Sequence, residues 1–256
     1  MRKRLEGKVA LVTGGGRGIG RAISMHLAEE GGFVVIHYGH RVEMAHAAVN
    51  EIRHNGGTAA SVKADLSSLR GIGELFAGVD DALSQATGST QIDILVNNAG
   101  IALQGGVNET TEENFDAVFA VNAKAPFFVV QHALSRLRDN GRIINISSAV
   151  TRIGFPSLAA YSMTKGALDT LSLLLAKQLG ARGITVNSLA PGVIDTEMNA
   201  ALLGDPQGRR YAASISALGR VGTPADVADA AAFLASADGR WVTGQRLDVS
   251  GGSLIG

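Results

Sequence analysis

Apolar residues in this chain fall at consecutive positions within short runs, not at alternate ones. "VALV" at 9–12, "FVVI" at 33–36 and "ILV" at 94–96 are examples. A strand with one face in water alternates apolar and polar residues, and a strand covered on both faces does not. Covering both faces needs helices above and below the sheet, and the segments between the runs have helical length. Strands are expected at 8–14, 33–38, 58–66, 92–100, 141–148, 184–192 and 245–252. Helices are expected at 17–32, 42–57, 73–86, 111–138, 157–183 and 226–236, several of them closing on glycine. This alternation predicts an α/β fold, a doubly wound parallel sheet of about seven strands with helices on both faces. The stretch 193–223, with "GDPQG" inside it, is the least regular. No linker or low-complexity segment divides the chain, so one domain is expected over 1–256.

A length of 256 residues suits one large α/β domain. The 23 basic residues balance the 23 acidic ones, so no net field favours nucleic acid or an anionic membrane surface. The basic run Arg2–Arg4 reads as a solvated terminus. The apolar run after it is too short for a secretory signal, and no stretch approaches the roughly 18 residues of a membrane span. Cysteine is absent, which excludes disulfides, thiolate zinc sites and a cysteine nucleophile. The cytoplasm is the expected compartment. His26, His37, His40, His46, His54 and His132 have no metal-ligand spacing, so they read as structural or solvated and no catalytic metal is expected.

"TGGGRGIG" at 13–20 joins the first strand to the first helix. A glycine-rich turn there lets the backbone approach a pyrophosphate and aims a helix N-terminus at it. The glycines stand at Gly14, Gly18 and Gly20, with three residues between the first two. The plain dinucleotide fingerprint has one residue there, so this loop is a variant of it. Further on, Tyr161 and Lys165 stand four apart in a predicted helix, on one face. An ammonium beside a phenol favours the phenolate, so Lys165 is expected to lower the Tyr161 pKa from its usual value near 10. A phenol tuned toward neutrality serves as a general acid or base. Ser148, at the C-terminal end of a strand, is placed to donate to a substrate oxygen.

The ordered set of motifs resembles the short-chain dehydrogenase/reductase family. It comprises the variant loop, "NNAG" at 97–100, Asn122, Ser148 thirteen residues before Tyr161, Tyr161-x-x-x-Lys165, and Pro191–Gly192 with Thr196 just after. The resemblance covers nearly the whole chain and implies a Rossmann-like fold. It implies that Tyr161 protonates a carbonyl oxygen as hydride arrives from a nicotinamide. Lys165 would hold the nicotinamide ribose, Ser148 would position the carbonyl, not its neighbour Ser147, and Asn122 would hold a water in a relay to Lys165. Gly14, Gly18, Ile19 and Gly20 would cradle the pyrophosphate, and Arg17 in the same loop would also bind the cofactor. Asp65, with Leu66 beside it, would meet the adenine. Asn98, Ala99 and Gly100 would line the cofactor, and Pro191, Gly192, Ile194 and Thr196 would close over the nicotinamide.

An acidic residue at the end of the second strand would bind a ribose 2′-hydroxyl and repel a 2′-phosphate. Tyr38 stands there instead, and Arg17, His40 and Arg41 are the nearby basic groups. Guanidinium groups suit a phosphate, so NADP(H) is expected over NAD(H). The substrate is expected to be a small carbonyl or alcohol, held under a lid at 193–223. Met198, Leu202, Leu203, Ile215 and Leu218 would face Val150, Ile153 and Phe155. Within the family the chain most resembles 3-oxoacyl-acyl-carrier-protein reductases, with Arg138 and Arg182 as possible contacts for an acidic carrier. A sugar or polyol dehydrogenase remains open. A non-catalytic nucleotide-binding regulator predicts a broken Ser/Tyr/Lys set, and the set is intact. Apolar surface on the helices at 111–138 and 157–183, "FFVV" and "LSLLLA", predicts a homo-oligomer, a tetramer as the family suggests.

Overall fold

The computed structural model describes residues 3–253; Arg2 of the basic run lies outside them. Seven strands form one parallel sheet, β1 (Val9–Val12), β2 (Phe33–Tyr38), β3 (Thr58–Lys63), β4 (Ile92–Asn97), β5 (Leu137–Ile146), β6 (Thr185–Pro191) and β7 (Arg246–Val249). Their order is β3-β2-β1-β4-β5-β6-β7, with every pair parallel. The order reverses between β1 and β4, which opens a crevice at the C-terminal ends of those strands.

The consecutive apolar runs have the predicted cause. Ala10, Val12, Val34, Ile36, Ile94 and Val96 point to one core, under α1 (Gly18–Glu29), α2 (Val42–His54) and α9 (Pro224–Ala235). Val9, Leu11, Val35 and Leu95 point to the other, under α3 (Leu69–Thr87), α5 (Ala125–Ala133) and α6 (Ala159–Leu179). The central strands β1, β2 and β4 therefore bury both of their faces.

Two expectations fail locally. The helix expected over 111–138 is α4 (Glu112–Phe119), a π-helical turn at Ala120–Lys124, and α5, which stops at Ala133. Arg138 is in β5, not at a helix end. Three extra residues bulge out of β5, since Ile92 pairs with Leu137 but Ile94 pairs with Arg142. Asn140 takes a left-handed φ of 61° in that bulge, a conformation Asn tolerates better than most residues. The stretch 193–223 is more regular than expected, holding a short turn at Glu197–Asn199, α7 (Ala200–Leu203) and α8 (Pro206–Ser214). Asp205 caps α8 by accepting from the Gly208 N–H at 2.8 Å, and Pro206 fills its first turn. The Asp-Pro pair was a readable helix start inside "GDPQG". No helix among the described residues is long and apolar enough to cross a membrane.

Candidate active site

The loop after β1 is held by side chains at or just past the ends of three strands, Thr13 after β1, His37 in β2 and Asn98 after β4. Thr13 Oγ1 accepts from the Asn98 and Ala99 N–H groups at 2.9 and 3.0 Å. The Asn98 amide donates to the carbonyls of Thr13 and Gly14 at 2.9 and 3.1 Å. Gly14 has a φ of 63°, and a Cβ on Gly20 would sit 2.2 Å from the Gly14 carbonyl oxygen. Neither position accepts a side chain at this loop geometry. Arg17 precedes α1 without any side-chain cap, so the first N–H groups of α1 are open to an anion.

His37 does more than a solvated or packing residue. Its Nδ1 accepts from the Gly14 N–H at 3.1 Å, and its Nε2 lies 3.1 Å from the Ala64 carbonyl. A carbonyl only accepts, so the ring is neutral with its proton on Nε2. Burial lowers its pKa to about 4. The signal was an imidazole inside an otherwise apolar strand.

Ser148, Tyr161 and Lys165 come together past the end of β5. Tyr161 is hydrogen-bonded to Ser148. The Lys165 ammonium lies 5.5 Å from the Tyr161 ring centroid and donates to the Ile146 carbonyl at 2.7 Å. Ser147 is buried and donates to the Lys165 carbonyl at 3.3 Å, a structural use that leaves Ser148 as the serine at the tyrosine. Asn122 sits in the π turn, fully buried. Its side chain is spent on Ile101, accepting from the N–H at 2.9 Å and donating to the carbonyl at 2.8 Å. A Cβ on Gly100 would press on Asn122 Oδ1 at 3.3 Å and lie in ordinary contact with Lys165 Nζ at 3.6 Å, so the main chain at Gly100 runs close past both groups.

The expected direction for Tyr161 is reversed. Burial raises its pKa, and the Ser148 hydrogen bond only partly opposes this. Lys165 is itself lowered to about 8 by burial, against the charge of Asp169. Desolvation of both groups outweighs their attraction. The phenol is therefore protonated at neutral pH, the form that gives up a proton.

One cavity of about 690 Å³ joins all of this. It is lined by every residue expected at the cofactor and by Ser148, Tyr161 and Lys165, with Asn122 just behind Gly100. Tyr38 stands at its β2 end, edge-on to His46, with no carboxylate from β2 beside it. Arg17 and Arg41 both reach Glu197, at 2.9 and 3.5 Å, so two guanidiniums converge on one anion position. Asp65 is on the rim and accepts from the Ser67 N–H at 2.9 Å. Val150, Ile153, Phe155, Met198, Leu202 and Ile215 line the other end, and sequence reasoning missed Tyr211 beside them. Leu203 and Leu218 do not line it. Leu203 is buried in its own segment, and Leu218 faces a separate cavity of about 530 Å³.

The arginines expected to meet a carrier are engaged elsewhere. Arg138 pairs with Asp93 at 2.8 Å. Arg182 pairs with Asp139 at 2.8 Å and donates to the carbonyls of Leu134 and Leu137. Arg182 follows the C-terminus of α6, whereas Tyr161 is in its first turn. At 1.5 Å per residue the two are about 30 Å apart along the axis.

A seven-stranded doubly wound sheet with an uncapped, glycine-lined helix start and a Ser/Tyr/Lys cluster at one cavity defines a nucleotide-dependent oxidoreductase. The family model described as enoyl-(acyl carrier protein) reductase matches residues 14–253. Elsinochrome reductase 1 of Elsinoe fawcettii is 42% identical over 263 residues, 98% of this chain and 96% of the relative. A versicolorin reductase of Emericella nidulans is 42% identical over 262 residues, 98% and 97% of the two chains. An angucycline C-6 ketoreductase solved with bound NADP superposes with a TM-score of 0.95 at 48% identity, covering 99% of this chain and 98% of that one. The chain belongs to the short-chain dehydrogenase/reductase family, and it is an oxidoreductase acting on C=O or CH–OH groups.

Proposed function

We propose that this protein uses NADP(H) to reduce a ketone on a multi-ring, polyketide-type skeleton to a secondary alcohol. The observation that carries the reading is the Ser148–Tyr161–Lys165 cluster opening onto a cavity whose far wall is apolar. The uncapped start of α1 and the Arg17–Arg41 pair suit the pyrophosphate and the 2′-phosphate of NADPH, and the absence of an acid at Tyr38 removes the usual repulsion. Relatives named for elsinochrome, versicolorin and angucycline reduction support the substrate class.

When bound, NADPH supplies the hydride. Ser148 donates to the substrate carbonyl and draws it toward Tyr161. Tyr161, protonated because it is buried, gives its proton to the oxygen as negative charge develops there. The Lys165 ammonium, 5.5 Å from the Tyr161 ring centroid, holds the ribose and stabilises the phenolate left behind. Asn122 ties the π turn to Ile101 beside the lysine; since its side chain is occupied, its relay water would sit on its main chain. The helical segment 193–223 serves as the lid of a single catalytic domain.

An acyl thioester is the weaker reading, because Arg138 and Arg182 stand at the opposite end of the sheet. A sugar or polyol fits poorly against Ile153, Phe155, Met198, Leu202 and Ile215. Exposed Phe127, Met163, Leu173 and Leu174 on α5 and α6 favour a homo-oligomer, with the family's tetramer as the assembly. Initial rates with NADPH on 2-tetralone and on an acetoacetyl thioester, repeated with NADH, test the proposal. Faster turnover of the bicyclic ketone, with NADPH favoured, is expected. Preference for the thioester would reverse the substrate assignment, and equal rates with NADH would remove the cofactor preference.

A further inference from the structure

Arg246 opens β7, and its side chain is only 11% exposed. Its Nη2 donates to the Ser148 carbonyl at 3.2 Å. Its Nε is shared between Thr151 Oγ1 at 3.0 Å and Asp169 Oδ2 at 3.1 Å. Its Nη1 donates to Asp248 Oδ2 at 2.6 Å. One guanidinium thus ties β7 to the Ser148 main chain, to the short turn Ala149–Thr151 and to α6. Asp169 lies one helical turn past Lys165 on α6, and its Oδ1 is buried with no hydrogen-bond partner among the described residues.

Burying an ion pair gives little net stability, and an unpaired carboxylate oxygen beside it costs more. The arrangement calls for another reason, and both partners point to the same place. Arg246 holds the backbone of the serine, and Asp169 stands beside the lysine. We propose that Arg246 and Asp169 are a positioning pair for the reduction, with Arg246 fixing the main chain of Ser148 and its turn while Asp169 presents a carboxylate to Lys165. This rests on the reading of Ser148, Tyr161 and Lys165 as the reacting set.

The titratable and charged groups around Lys165 are Tyr161 and Asp169 on α6, and Arg246 behind Asp169 on β7. β5 offers the Ile146 carbonyl and the π turn offers the Asn122 amide, neither of which titrates. The Asp169 charge supports the lysine proton against burial. Removing that charge makes Lys165 lose its proton at lower pH.

The test uses purified full-length variants with NADPH and 2-tetralone. Arg246→Lys keeps a cation beside Asp169 but loses the planar fork to Ser148. It is expected to lower kcat about tenfold or more, with KM for the ketone and Kd for NADPH within about threefold of wild type. Asp169→Asn is expected to move the alkaline limb of kcat/KM to lower pH by about half a unit or more, and Asp169→Glu to restore it. If Asp169→Asn does not fold, the kcat of Arg246→Lys, which keeps both charges, still tests the pair, and a wild-type value there overturns it. Wild-type kcat in Arg246→Lys together with an unmoved pH profile in the Asp169 variants would overturn the proposal. Tyr161→Phe runs alongside. Turnover in that variant would sink the reading of the reacting set itself, whereas an inactive Tyr161→Phe beside unaffected Arg246 and Asp169 variants sinks only the positioning pair.

Discussion

The loop after β1 and the segment 193–223 face each other across one cavity, but they are secured in different ways. The loop is fixed by the buried Thr13 and His37 and the half-buried Asn98 amide, each on backbone atoms. The segment is anchored by main-chain bonds at its ends, Asp195 N–H to the Gly222 carbonyl and Leu218 N–H to the Gly251 carbonyl, and its side-chain ties are the exposed ion pairs Arg17–Glu197, Arg209–Asp195 and Arg220–Asp226. Buried hydrogen bonds are costly to leave unmade, and exposed ion pairs contribute about 0–1 kcal/mol each. In the proposed reading the loop is the wall that meets the cofactor, and the segment, whose ion pairs cost little to break, is the lid over the substrate.

The comparison can be broken most strongly at His37. Its folded pKa of about 4 lies below the usual 6.5, so the neutral ring is favoured in the folded state. Stability is full above pH 6.5 and is lost as pH falls toward 4, by about 3 kcal/mol at the lower end. Urea unfolding of wild type against a His37→Asn variant should show this loss only in the wild type. Equal pH slopes would mean that His37 is not held neutral.

A smaller effect is expected at Arg17 and Arg41, which both reach toward Glu197. Replacing both with Ala should raise KM for NADPH about tenfold or more while leaving NADH nearly unchanged. A matched loss with both cofactors would place the arginines away from the 2′-phosphate. The smallest effect is expected from Arg209→Ala, which removes an exposed pair and should cost less than about 1 kcal/mol in thermal unfolding. A larger loss would show that the segment is better anchored than its pairs suggest.

The same contrast decides what could be read from the sequence. The loop was legible because a tight backbone admits few residues, so Gly14, Gly18 and Gly20 announce it. That Ser148, Tyr161 and Lys165 come together was legible through their spacing. The buried chain from Asn97 to Asn145 to Ser172 to Ser188, with contacts of 2.8 Å at each step, carried no comparable signal. Polar residues in strands and helices look alike whether they face each other or water. The Tyr161 shift was misjudged because Cβ spacing shows attraction to Lys165 but not how far both groups lose water. Arg138 was misplaced because "RDNG" bulges within a strand where the pattern suggested a helix end. Tyr211 was missed because the lid was read from its aliphatic residues and Met198, although Tyr211 stands one helical turn before Ile215.

The most direct measurement of the central claim is the initial rate of NADPH oxidation with 2-tetralone by wild type and Tyr161→Phe, with NADPH binding measured in both. The account predicts a loss of about a thousandfold in kcat with cofactor affinity nearly unchanged, because only the proton donor is removed. Turnover of Tyr161→Phe within about tenfold of wild type would contradict it, since a protonated phenol could not then be the acid of the reaction.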